Sequence, residues 1–197
     1  MSSNRSISFF ENQFREQIAA RDFALNPFEK AVLPFVRGRV LDLGCGLGNL
    51  SIEAARAGAE VIAIDASAAA IDRIQKVAKE EGLRIEARVG DAVTYEMRGQ
   101  FDTIVAIGLL MFLQRETALG LLAKIQQHSR VAIINVLVEG TTYMDMFDPG
   151  AYCLFGADEL ERRFAGWKIL LSKRENFDAP GNTKKAFSTV VAERIGL

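Results

Sequence analysis

Three glycines at alternate positions, Gly44, Gly46 and Gly48, follow the apolar run that begins at Val40, with Asp42 two residues before the first. Glycine takes positive φ and has no Cβ, so this spacing marks backbone that a ligand approaches closely. The run changes into a loop and then into the helical segment Leu50 to Ala57, which reads as buried strand, turn and helix N-terminus. Such a turn holds nucleoside cofactors, and the charge beside it selects among them. Dinucleotide sites carry G-x-G-x-x-G and seat a pyrophosphate on the positive helix terminus. Here the spacing is G-x-G-x-G with a carboxylate upstream. Asp42 would repel a pyrophosphate and attract a ligand bearing ammonium and sulfonium groups, most strongly where water is partly excluded. The sign of the charge points to S-adenosyl-L-methionine, leaving S-adenosyl-L-homocysteine as product. Asp42, Gly44, Cys45, Gly46, Gly48 and Asn49 are the expected contacts on this stretch.

Two more carboxylates stand at comparable places. Asp65 closes the run EVIAID, 17 positions beyond Gly48, about where α/β nucleotide folds put a carboxylate on ribose hydroxyls. A carboxylate can accept two hydrogen bonds from a vicinal diol, and Ala66 follows it into the turn. The alternative is that Asp65 helps cap the helix beginning near Ser67. Asp91 follows the next apolar run in Gly90-Asp91-Ala92, where a solvated turn aspartate is the competing reading.

The elements that must position these residues alternate. Strands are expected at Glu60 to Asp65, Arg84 to Val89, Phe101 to Ile107 and Val131 to Val138, with helices at Ala68 to Glu81, stopped by Gly82, and at Glu116 to Gln127. That alternation implies a parallel sheet with helices on both faces. The tail differs: Lys168 to Lys173 and Phe187 to Ala192 are strands with only a turn around Ala179-Pro180-Gly181-Asn182, so they pair antiparallel. Ahead of the glycine turn, Phe9 to about Phe23 is an amphipathic helix with Phe10, Phe14 and Ile18 on one face. Pro27 to Val36 is a second helix with proline in its first turn. Residues 1–38 are expected to form a helical cap and 39–197 the main domain of one compact unit. The leading helices either cover the ligand mouth or pad the sheet.

Composition bounds the partners. With 49% apolar and 25% charged residues, a formal charge of −1 and a pI near 6.0, nothing suggests a nucleic-acid surface, and a small-molecule substrate is expected. Cys45 and Cys153 are too far apart for a disulfide framework or metal spacing, and no metal is expected. No run approaches the roughly 20 apolar residues of a membrane span, and the first residues carry no apolar leader; the expected location is the cytoplasm, with no membrane partner. The oligomeric state is not legible.

The stretch from Arg39 to the C-terminus resembles the class I S-adenosylmethionine-dependent methyltransferases, with VLDLGCGLGN as their first motif. The resemblance implies a Rossmann-like, seven-stranded, mostly parallel sheet with an antiparallel C-terminal hairpin. It also implies that Asp91 accepts a hydrogen bond from the adenine amino group, with the Ala92 N–H facing the ring and Ile107 and Gly108 at the end of the fourth strand. The run Gly108-Leu109-Leu110-Met111-Phe112-Leu113, the ending Glu159 to Phe164 with Gly166-Trp167, and Phe187-Ser188-Thr189 are similar to the tellurite-resistance (TehB-like) methyltransferases. Those proteins methylate tellurium and selenium oxyanions, and their relatives act on thiols. In open α/β sheets, ligands sit at the carboxyl ends of the strands. The only histidine, His128, falls at the other edge, so no general base is expected and no catalytic residue is named. The acceptor must then be nucleophilic already, such as a thiol, selenium or tellurium species, and positioning does the work. Phe14 and the loop aromatics Tyr143, Phe147, Tyr152 and Phe155 are the expected acceptor pocket. The hairpin departs from the family: Glu175 to Lys185 holds Asp178 and no histidine, with Lys184 and Lys185 as its positive charge. The alternative function is a catalytically silent S-adenosylmethionine-binding protein, acting as a sensor or partner subunit.

Overall fold

The structure, a computed structural model, describes residues 5–196. Five parallel strands, β1 (Arg39–Leu43), β2 (Glu60–Asp65), β3 (Ile85–Val89), β4 (Phe101–Ile107) and β5 (Ser129–Leu137), form the centre of one sheet. The antiparallel hairpin of β6 (Trp167–Ala179) and β7 (Thr183–Arg194) completes it, with β7 paired to β5. The strand order β3-β2-β1-β4-β5-β7-β6 makes seven strands, as the alternation and its tail required. The chain leaves β1 in one direction through β2 and β3 and returns on its other side through β4 and β5. The crevice of such a sheet opens at that reversal, outside the carboxyl ends of β1 and β4.

Central parallel strands are covered on both sides, which is why they read as unbroken apolar runs. On one face α2 (Pro27–Val32), α3 (Asn49–Arg56) and α4 (Ala68–Glu81) bury Val32, Ala54, Ile71 and Ile74 against Val40, Ala63, Val105 and Ile133. On the other, α5 (Arg115–His128) and the short α6 (Glu159–Arg162) bury Leu121, Leu122, Ile125 and Leu160 against Leu41, Ile104, Ile134 and Val190.

The leading helix α1 (Arg5–Ala20) starts four residues before, and ends three residues before, the span its apolar pattern predicts. Its first turn is held by a tertiary bond, the buried Ser6 hydroxyl donating to the Met146 carbonyl at 2.9 Å, and Arg21 at φ 53° turns the chain out at the other end. The second helix is shorter than its pattern. It ends at Val32 and tightens to a 3-10 turn at Leu33–Phe35, because Pro34 has no N–H for the Lys30 carbonyl. The hairpin strands extend far beyond their apolar cores. Residues 172–178 are mostly polar because β6 is an edge strand, so no hydrophobic alternation marks them.

Gly48 shows what one turn glycine is for. It stands at φ 69° as the N-cap of α3, and a Cβ there would lie 2.5 Å from Ile74 Cγ1 on α4. Gly48→Ala should therefore cost about 2 kcal/mol or more in urea unfolding, from left-handed strain together with displacement of Ile74. A loss below a few tenths would contradict this packing.

Candidate functional site

The glycine turn is tied to the neighbouring strand end by its own backbone. Gly44 and Cys45 both donate N–H bonds to the Ile64 carbonyl, at 2.8 and 3.1 Å, and the Gly48 N–H goes to the Cys45 carbonyl at 2.9 Å. The Gly46 N–H donates to Asp65 Oδ2 at 2.8 Å, while Asp65 Oδ1 accepts from the Ser67 N–H at 2.8 Å. Four N–H groups of the turn are thus satisfied inside the protein. In a phosphate-binding loop those donors would point at the anion. Arg73 braces the turn from outside, donating to the Leu47 carbonyl while its guanidinium stacks on Phe23 at 3.8 Å.

Three carboxylates surround this turn, none in an ion pair among the described residues. Asp42 is 4% exposed and accepts a 2.6 Å bond from Ser51 Oγ; burial pushes its pKa up to about 7, with Glu29 and Asp65 adding repulsion. Burial also raises Asp65, against the two backbone bonds that favour its charged form. Glu29, the third residue of α2, takes the Asn26 N–H at 2.8 Å in a capping box, and its pKa is raised by burial. Burial raises the Cys45 thiol well above its ordinary value, so it is no nucleophile.

A cavity of about 780 Å³ opens over these groups. Its wall includes Asp42, Gly44, Cys45, Gly46, Asn49, Asp65, Ala66, Asp91, Ala92, Ile107 and Gly108, eleven of the twelve positions expected at the cofactor. Gly48 is the twelfth, and it faces Ile74 instead. Asp91 Oδ1 accepts from the Val93 N–H at 2.8 Å, so the turn role and the cavity position coexist. Phe14 is on the wall, its Cζ 3.1 Å from where a Gly46 Cβ would be; this close approach by α1 also demands glycine there.

The other four expected pocket aromatics are not on the wall. Phe147 and Phe155 are 2% and 0% exposed, because the loop after β5 folds back to fill the core. Tyr152 stacks on the outside of Phe147 at 4.9 Å, and Tyr143 lies beneath the Lys185 ammonium at 4.5 Å. From that loop, Met146 reaches the cavity. His128 lies at the end of α5, its Nδ1 2.8 Å from the Gly99 carbonyl, on the edge away from the cavity.

A family model described as "Tellurite resistance protein TehB" matches residues 11–189. The chain belongs to the TehB family. A curated relative, "Probable S-adenosyl-L-methionine-dependent methyltransferase TehB" of Haemophilus influenzae (strain 10810), is 27% identical over 163 residues, 79% of this chain and 57% of the relative. The solved structure of TehB from Haemophilus influenzae superposes with a TM-score of 0.72 over 87% of this chain and 62% of that one, at 22% identity. A second solved structure, described under conversion of a disulfide bond into a thioacetal group during echinomycin biosynthesis, aligns at TM-score 0.62 and 25% identity over 89% and 85% of the two chains. The chain spans about half the length of the curated relatives it matches. Its fold is that of the class I methyltransferases.

Within this TehB-family frame, several cavity residues escape a reading by motif. Glu29 is hidden because Asn26-Pro27-Phe28-Glu29 already reads as a helix cap. Phe10, Phe28, Phe177 and Phe187 come from four elements that only the fold brings together. Asn135 had a signal, a lone amide in the apolar run VAIINVLV.

Asp42 makes stability depend on pH. Its folded pKa of about 7 lies above the ordinary 3.8, so its contribution is whole below about pH 4 and is lost as pH rises towards 7. Asp42→Asn keeps an acceptor for Ser51 and cannot ionise. Urea unfolding should find it more stable than wild type by about 2 to 4 kcal/mol near pH 8, the gap shrinking as pH falls to about 5. A pH-independent difference would overturn the assignment.

Proposed function

We propose that this chain transfers a methyl group from S-adenosyl-L-methionine to a small-molecule acceptor. The carrying observation is the electrostatic character of the glycine turn: four of its N–H donors are consumed internally, and three buried or half-buried carboxylates face the cavity. A phosphate meets carboxylates there, with four of the turn's N–H groups already spent, whereas an ammonium and a sulfonium find compensating charge. The name of the Haemophilus relative supports the same cofactor.

In this reading Asp42, Gly44, Cys45, Gly46 and Asn49 hold the methionyl end. Asp65 still has a lone pair on each oxygen for the ribose hydroxyls, and Ala66 lies beside it. Asp91 and Ala92 meet the adenine, and Ile107 and Gly108 line the path to the methyl. The helices within 1–38 act as a cap: Phe14 lies on Gly46, Phe10 packs edge-on against Phe112 at 5.0 Å, and Glu11 takes the Ser67 hydroxyl. Closing the cap excludes water as the sulfonium charge disperses in the transition state. No imidazole faces the cavity, so transfer relies on in-line placement of an acceptor already nucleophilic, and sulfur, selenium or tellurium species meet that need. The echinomycin-pathway neighbour, whose description concerns sulfur chemistry, favours sulfur among them. No helix among the described residues is long and apolar enough to cross a membrane.

Calorimetry with S-adenosyl-L-homocysteine should show micromolar binding, and Asp65→Ala should weaken it by about 1 to 3 kcal/mol. Unchanged affinity would remove Asp65 from the site. A cation beside Asp42 needs the ionised carboxylate. Affinity for S-adenosyl-L-methionine should therefore climb by up to about tenfold per pH unit below pH 7 and level off above it. In Asp42→Asn the profile should be flatter and the binding weaker; an unaltered profile would exclude Asp42 as the charge partner.

A further inference from the structure

The cavity continues past β4 towards β5 and the hairpin, and its lining changes character there. Asn135, near the carboxyl end of β5 and on the cavity wall, is 1% exposed; its Nδ2 donates to Thr189 Oγ1 at 2.9 Å, and its buried Oδ1 has no partner. A buried amide oxygen left without a donor suits a ligand that brings one. Thr189 faces Asn135 across the β5–β7 ladder, and alternate residues of a strand share a face, so Thr189, Phe187 and Lys185 lie in a row. That row is about 14 Å long between its end Cα atoms. Phe28 of α2 closes over its middle, with ring centroids 4.6 Å from Phe187 and 5.4 Å from Phe177.

Lys185 stands at the outer end. It is half-buried, lines the cavity, and makes no ion pair with any described carboxylate, Asp178 on the adjacent strand included. The compartment thus offers, in order, a hydrogen-bond acceptor beside the expected methyl, an aromatic wall, and a cation that lies over the Tyr143 ring and shares the outer end with Asp178. Less the reach of the two end side chains, the row leaves room for about one substituted ring.

We propose that this end of the site takes an aromatic carboxylic acid bearing an S–H or N–H nucleophile. The carboxylate pairs with Lys185, the ring lies among Phe28, Phe177 and Phe187, and the heteroatom hydrogen bonds to Asn135 Oδ1. This deepens the methyl-transfer reading and rests on it. The heteroatom lone pair attacks the methyl carbon, the carbon–sulfonium bond breaks with its electrons going to the cofactor sulfur, and the heteroatom's hydrogen leaves as a proton to water. By accepting that hydrogen, Asn135 aims the lone pair along the line of attack. A bare oxyanion would find one lysine, an aromatic wall and an unpaired amide oxygen, which is poor compensation for a compact, strongly hydrated charge.

The test uses the full chain with S-adenosyl-L-methionine and reads methylated product by mass spectrometry. The acceptors are para-(mercaptomethyl)benzoate and para-aminobenzoate, each beside its counterpart without the carboxylate, benzyl mercaptan and aniline, together with tellurite and selenite. At least one acid should exceed its counterpart in kcat/KM by roughly ten- to a hundredfold, the worth of a charge-assisted contact. Lys185→Met should abolish that preference through KM, Lys185→Arg should retain it, and Asn135→Leu should lower kcat on the acids. Affinity for S-adenosyl-L-homocysteine, measured by calorimetry, should stay at the wild-type level in all three, which also reports their folding. Normal binding of that product with no preference for the acids, faster turnover of tellurite or selenite, or a preference that survives Lys185→Met would overturn this proposal alone. Failure of the wild-type chain to bind the product would bring down the methyl-transfer reading and this one with it.

Discussion

The Asp65 carboxylate joins two turns that the sheet alone would leave independent. One oxygen holds the Gly46 N–H and the other the Ser67 N–H, so the ends of β1 and β2 open into one rigid rim. Both bonds favour a charged carboxylate, yet burial, with the Glu11 carboxylate nearby, works against it. Like charges held close in low dielectric raise one another's pKa, and a positive charge brought beside them would relieve the repulsion. The rim is thus electrostatically unfinished and structurally complete, as expected of a receptor for a cation.

The same economy applies to the leading helices. The carboxylate of Glu29 caps its own helix and adds to the negative field at Asp42, so removing it would loosen α2 and weaken that field together. α1 reaches the turn through Phe14 and the far wall through Phe10, while the Ser6 hydroxyl ties it to the loop after β5. One amphipathic helix therefore connects the rim of the expected cofactor compartment to the loop that fills the core behind it. The cavity divides accordingly: carboxylates and small residues on the β1 and β2 side, aromatics with an amide and a lysine on the β5 and hairpin side.

Much of this was legible in the chain because parallel strands covered on both faces must be apolar throughout. The spans of β2, β4 and α4 follow directly from their runs and from the Gly82 stop. Where that rule lapses, the reading lapses with it. The hairpin strands carry polar residues on an uncovered face, and α2 loses its last turn to Pro34. The loop aromatics were legible as apolar and misleading as wall. Apolarity says that Phe147 and Phe155 will be buried, and it does not distinguish a core from a pocket.

By itself, the sequence determined the order of elements, the turn that must lack side chains and the sign of the charge beside it, since these depend on residues near one another in the chain. Only the tertiary structure decided that Asp65 takes the Gly46 N–H, that Ile74 leaves no room for a side chain at Gly48, and that Phe28, Asn135, Phe187 and Lys185 share a compartment. Those outcomes depend on distances between elements far apart along the chain, set by how the helices and the hairpin pack on the sheet, and no local pattern encodes them.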